Sequence, residues 1–218
     1  PGALNAFAAP GVTNVENLYV YGATLTAGET YDMSGTGFTS LEVDSSTAAG
    51  TAFTVKTSAT QDVALKAVNA AAGGAALNID GAKKLTVNAV GTTANVLTVD
   101  VDAVAVTALD LVSTGAGTTG ASKLTLANNG GTTLTTLNVT GAGDTTVTST
   151  LSALKTVNAS AATGKFNLDV SGRTAANTAV DFAFTGGSAN DSIKLAHDVL
   201  GRLTSGAQLD GGAGTDKL

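Results

Sequence analysis

At 218 residues the chain is long enough to bury a sizeable core, yet it holds no Trp, 3 Tyr, 6 Phe and 1 Met, with 27 Gly. Zero cysteines exclude disulfides and thiolate metal sites, and a net charge of −6 with two arginines, Arg173 and Arg202, excludes the clustered basic surface a nucleic-acid binder needs. No apolar run reaches the roughly 18 residues of a membrane-crossing helix, and 4% aromatic residues cannot supply the girdles of a transmembrane barrel, so no membrane insertion is expected.

The mean hydropathy of +0.24 argues against disorder despite the low charge. The acidic residues divide into 14 Asp and 3 Glu. Short carboxylates suit two tasks, making turns and binding hard cations.

In chain order, a three-residue apolar–polar–apolar beat appears at Leu18–Val20, Leu41–Val43, Val63–Leu65, Leu77–Ile79, Leu85–Val87 and Leu97–Val99. It continues at Leu109–Leu111, Leu124–Leu126, Leu137–Val139, Phe166–Leu168 and Val180–Phe184. Alternation over three to five residues marks short strands with one buried face. The intervals, mostly about a dozen residues, are filled with Gly, Thr, Ala, Asn and Ser turn chemistry.

This spacing predicts an all-β protein, a parallel β-solenoid (β-helix or β-roll) of short strands, with a β-sandwich as the alternative. The scarcity of large aromatics and the near-identical apolar pair on every strand favour the solenoid. Val-Asn-Ala recurs at Val68–Ala70, Val87–Ala89 and Val157–Ala159. Its asparagines either stack into a ladder or simply end strands. Residues 1–175 read as the solenoid body, and residues 176–218 as glycine–aspartate turns continuing it. No helix is expected in the body, and Asp198–Leu203 fits a single helical turn.

The last segment carries the most specific chemistry. Gly211–Leu218 has glycines at 211, 212 and 214, Asp216 and Leu218, the pattern of a calcium-binding nonapeptide. Upstream, Gly186, Gly187, Asp191 and Ile193 repeat it, with Ala189 in place of the third glycine. The glycines permit conformations that aim carbonyls at an ion, the aspartates add carboxylate oxygen, and Ile193 and Leu218 are expected to face the core. Six to eight hard oxygens in irregular geometry suit calcium better than magnesium. The plainer alternative is two Gly-Asp hairpins with no metal.

The motifs start at Gly186 and Gly211. Edge partners in a regular roll lie two nonapeptides apart, a shorter offset than this one, so sharing an ion requires His197–Gly206 to loop out. Leu4-Asn5-Ala6 reads as the sequel to a similar turn, so the chain is expected to be a module between two such turns, with Asp216 short of its full ligand set. His197 and the Lys83-Lys84 pair are expected in solvent. Asp100 and Asp102 share one strand face that is either solvated or a cation or subunit-contact site. No Ser/His/Asp set and no paired carboxylates converge in the pattern, so no enzymatic activity is expected.

Gly11–Ala23 (GVTNVENLYVYGA), Leu154–Gly172 (LKTVNASAATGKFNLDVSG), Phe184–Leu195 (FTGGSANDSIKL) and the closing LDGGAGTDKL together resemble the β-strand-repeat segments of RTX-type bacterial surface-layer proteins. The resemblance is specific at Asn14–Leu18 and from Leu154 onward. It implies a structural module, exported by type I secretion to the outer cell surface and rigidified by calcium. Its partners would be copies of itself in a lattice, with cell-surface polysaccharide a further candidate. Carried over by position, Gly187, Asn190, Asp191, Asp210, Gly212, Gly214 and Asp216 would be calcium ligands or turn formers. An RTX adhesin or biofilm-matrix module is the alternative, and a solenoid polysaccharide-degrading enzyme a more distant one.

Overall fold

The computed structural model describes residues 15–21, 30–33, 35–44, 47–48, 53–58, 60–66, 69–70, 75–80, 82–88, 97–100, 107–114, 122–127, 134–173 and 181–218. The strands run β1 (Asn17–Tyr21), β2 (Thr30–Asp32), β3 (Ser40–Asp44), β4 (Thr47–Ala48), β5 (Phe53–Lys56), β6 (Asp62–Lys66) and β7 (Asn69–Ala70). They continue as β8 (Ala75–Asp80), β9 (Lys84–Asn88), β10 (Leu97–Asp100), β11 (Ala108–Ser113), β12 (Ser122–Ala127) and β13 (Thr136–Gly141). β14 (Thr145–Ser149), β15 (Thr156–Ala162), β16 (Phe166–Asp169), β17 (Ala183–Thr185) and β18 (Ser192–Lys194) precede a short helix, α1 (His197–Leu200), and β19 (Gln208–Asp210).

β1, β3, β6, β9, β11, β13, β15, β17 and β19 form a nine-stranded sheet in that order. β2, β5, β8, β10, β12, β14, β16 and β18 form an eight-stranded sheet, and β4 and β7 a two-stranded one. The described pairings are parallel throughout. Apart from β4 and β7, successive strands alternate between the two large sheets, so the chain is a parallel β-solenoid and not a sandwich. The spacing of the apolar beats is half a coil. Coil length varies: among the described pairings it is shortest where Thr136 pairs with Thr156, and longest where Ala108 pairs with Thr136.

Parallel register places like on like. In the nine-stranded sheet Leu18, Leu41, Val63, Leu85, Leu111 and Val139 stack in one column, and Leu109, Leu137, Val157, Phe184 and Leu209 in another. In the opposite sheet Leu124, Val147, Leu168 and Ile193 do the same. These columns join in one core cluster, each fully buried Leu or Val contributing about 1.5–3 kcal/mol. Phe166 and Phe184, from opposite sheets, stack with centroids 6.3 Å apart and an interplanar angle of 14°, bridging the interior between the sheets.

Polar residues form columns as well. Asn17, Ser40, Asp62, Lys84, Asp110, Asn138, Asn158, Thr185 and Asp210 stand above one another on the outward face of the nine-stranded sheet. Asn138 Nδ2 donates to Asp110 Oδ1 across one step, at 2.8 Å. The asparagines of the three Val-Asn-Ala repeats do not form the ladder their recurrence suggested. Asn69 lies in β7 of the small sheet, Asn88 pairs with Lys66, and Asn158 pairs with Asn138. Coil lengths differ, so copies of a tripeptide fall at different heights and columns. Lys83 is exposed and Lys84 half-buried at the start of β9. Asp102 lies outside the described residues.

Gln61, 3% exposed, is a polar tie that periodicity does not reveal. Its Nε2 donates to Met33 O (2.9 Å) and Phe38 O (2.7 Å), and its Oε1 accepts from Ser58 N at 2.7 Å, pinning the 33–38 turn to the next coil. Replacing Gln61 by Leu removes all three bonds, taking the Gln61 partner from Phe38 O and Ser58 N, while Met33 O keeps its bonds from Thr36. The expected cost is about 1–3 kcal/mol, seen as a lower urea midpoint, and a midpoint equal to the parent would refute the tie.

Candidate metal centre

The two glycine–aspartate turns link adjacent coils. Residues 186–191 connect β17 to β18, and residues 211–216 follow β19 and lead to Lys217, which bridges to Ser192. Asp191 and Asp216 occupy equivalent places one coil apart. No insertion has to loop out, because their offset is one full turn of this solenoid, the same offset that separates the paired Asn167 and Ser192. The intervening segment is part of the coil wall. α1 buries Val199, Leu203 packs on the core, and His197 is exposed at the helix start.

Backbone and side chains tie the turns together. Gly186 N donates to Asp210 O (2.7 Å), Ala213 N to Gly187 O (2.9 Å) and Lys217 N to Asp191 O (3.0 Å). Thr215 N donates to Asn190 Oδ1 at 2.9 Å and Asp191 N to Asp216 Oδ1 at 2.8 Å. Within the second turn, Gly212 N donates to Asp210 Oδ1 at 2.9 Å. Asp191 is 2% exposed, whereas Asp216 is half-buried and Asp210 exposed.

Glycine is required at several points of these turns. Gly212 has φ +81°, and a Cβ there would lie 2.3 Å from Gly187 O. A Cβ on Gly186 would lie 2.0 Å from Gly211 O and 2.8 Å from Asp191 Oδ2. Gly214, at φ +122°, completes the second turn. Missing side chains thus leave carbonyl and carboxylate oxygens facing one another across the coil step. Every nearby donor is a hard oxygen, which suits calcium in kind. Among the described residues no three His or acidic side chains converge, so a cation here would depend on carbonyls as well as Asp.

Of the seven sequence-selected positions, Gly187, Asn190, Asp191, Gly212, Gly214 and Asp216 lie in these stacked turns, and Asp210 ends β19 immediately before the second. Ile193 is buried as expected. Leu218, which follows the Lys217 that bridges to Ser192, was expected to face the core and is 71% exposed.

An earlier corner of the same kind was not singled out from the sequence. Gly141, at φ +104°, opens a turn in which Asp144 Oδ1 accepts from Lys165 N at 2.8 Å. Its signal is Gly-Ala-Gly-Asp at 141–144, which lacks the paired glycines of the nonapeptide. Beside the turns, the Asp169 carboxyl is held below its usual range. Burial opposes this, but hydrogen bonds from Ser171 and the charge of Lys194 Nζ at 3.0 Å outweigh it.

The fold and turns together define a parallel β-solenoid with glycine–aspartate corners. Comparison with protein-family models, curated proteins and solved structures gives no match for the chain. Gly212→Ala should lower the melting temperature by roughly 2–8 °C through positive-φ strain and the clash with Gly187 O. A melt superimposable on the parent would show that the turn tolerates a side chain.

Proposed function

We propose that this chain is a structural segment of an extracellular, self-assembling surface-layer protein, stabilised by calcium at its stacked glycine–aspartate turns and without an enzymatic role. The observation that carries this reading is the placement of the two nonapeptide-like turns directly over one another, one coil apart. The surface-layer assignment itself rests on the resemblance of the strand-repeat and closing motifs. Gly187, Asn190, Asp191, Asp210, Gly212, Gly214 and Asp216 are the proposed ligands or turn formers. When bound, calcium supplies positive charge that offsets the closely placed carboxylate and carbonyl oxygens. Asp210 and Asp216 present carboxylates near the surface, while Gly212 and Gly214 keep the peptide planes turned so that carbonyls stay available.

Coupling of binding to folding gives the function its logic. Where free calcium is scarce the last coil is weakly held, and the chain stays pliable for export. Outside the cell the ion stiffens the corner, and stiff solenoids pack as lattice units. The outward polar column suits repeated copy-to-copy contacts that remain soluble until ordered.

Saturating calcium, at about 100 times its dissociation constant, should add about 2.7 kcal/mol and raise the melting temperature by roughly 5–10 °C over a chelator control. Identical melts would sink the calcium reading. Ordered sheets in electron micrographs after calcium addition are expected. Protein that stays monodisperse with calcium but retains a soluble or surface ligand would point to the adhesin alternative instead.

A further inference from the structure

We propose that Asp191 is a metal-independent clamp joining three coils, and that the cation-dependent step is confined to the turn at residues 211–216. The second half of this statement rests on the calcium reading above; the first does not.

The Asp191 carboxylate is buried, with the residue 2% exposed. A buried carboxylate is costly unless its oxygens receive hydrogen bonds. Both do so from backbone. Oδ1 accepts from Phe166 N in the coil below at 2.8 Å, and Oδ2 accepts from Gly187 N in its own turn. Its backbone binds the coil above, through N–H to Asp216 Oδ1 (2.8 Å) and O from Lys217 N (3.0 Å). One residue therefore ties three successive coils at a point where glycines at 186 and 187 supply no side-chain packing.

Phe166 explains why a carboxylate stands there. It is 1% exposed and opens β16, so its N–H is shielded from water and needs an acceptor from within the protein. Charged acceptors make the stronger bonds to such groups. The negative charge of Asp191 is thus already met by two N–H donors before any cation is considered.

The second turn repeats the bond to the coil below, Asp191 N to Asp216 Oδ1, but differs in burial and backbone. Asp216 is half-buried, Asp210 is exposed, and Gly212 and Gly214 hold positive φ. The first turn carries Ala189 where the second carries Gly214, so the nonapeptide pattern is complete only in the second.

The test compares Asp191→Asn and Asp216→Asn in the full chain, in chelator and in calcium. In chelator, Asp191→Asn should lower the melting temperature by roughly 5–10 °C. It should also speed amide hydrogen exchange at Phe166 and Gly187 by at least about tenfold, while keeping the calcium-induced rise. Asp216→Asn should stay within about 3 °C of the parent in chelator and lose the calcium-induced rise. Asp191→Asn that melts with the parent in chelator but loses the calcium response would overturn the clamp and make Asp191 an ordinary ligand. Should Asp191→Asn not fold, the parent decides alone: protected Phe166 and Gly187 amides in chelator support the clamp, and rapid exchange there rejects it. A parent with no calcium response at all defeats the functional reading, while the chelator comparison still decides the clamp.

Discussion

Coil-on-coil hydrogen bonding in parallel register governs everything else in this molecule. Once β1 lies over β3 and β3 over β6, each side chain has as neighbours its counterparts one coil away on either side. A column must therefore be compatible with itself. Leu over Leu over Val satisfies this by interlocking apolar bulk, and Asp110 beneath Asn138 by a direct hydrogen bond. Coil length, by contrast, varies from one strand pair to the next, and between β13 and β15 the register shifts within the pair, between Asn138 and Thr140.

The same constraint turns the chemistry of one corner over along its length. Where the nine-stranded sheet ends, Val43, Leu65 and Val87 stack in a bulky apolar column. Ser113 follows in register with Val87, and its buried hydroxyl is without a hydrogen-bond partner. Beyond it, backbone contacts lead through Gly141, Ala162, Gly187 and Gly212. Bulk disappears from the corner, and the coils there are held by backbone hydrogen bonds and aspartate carboxylates instead. Local stability there consequently shifts from apolar burial to polar contacts between coils.

How much of this was readable beforehand depended on which face a residue used. Leu109-Asp110-Leu111 and Leu137-Asn138-Val139 announce their strands because the inward residues are apolar and the outward ones polar. β14 was invisible to that reading: its inward residues are Thr145, Val147 and Ser149. They are tolerated because Thr145 Oγ1 donates to Gly143 O and Ser149 Oγ accepts from Leu151 N, so local loops satisfy the buried hydroxyls. Gln61 escaped notice for a related reason, since a lone Gln between strands has no pattern to betray its three contacts. The glycine–aspartate turns were legible as chemistry, because left-handed glycines and short carboxylates leave a mark at fixed spacing. Their offset misled only while a nonapeptide roll supplied the ruler.

By itself, then, the sequence determined an all-β, thin-stranded solenoid and the residues of its glycine–aspartate turns, since alternation and turn chemistry are local properties that each segment carries alone. Only the tertiary structure decided how much chain each coil takes, that Asp191 lies directly beneath Asp216, and that Asp191 is buried against Phe166 and Gly187. Those are properties of register. They arise when distant strands pair, and no single stretch of chain contains the information about which neighbour will lie above it.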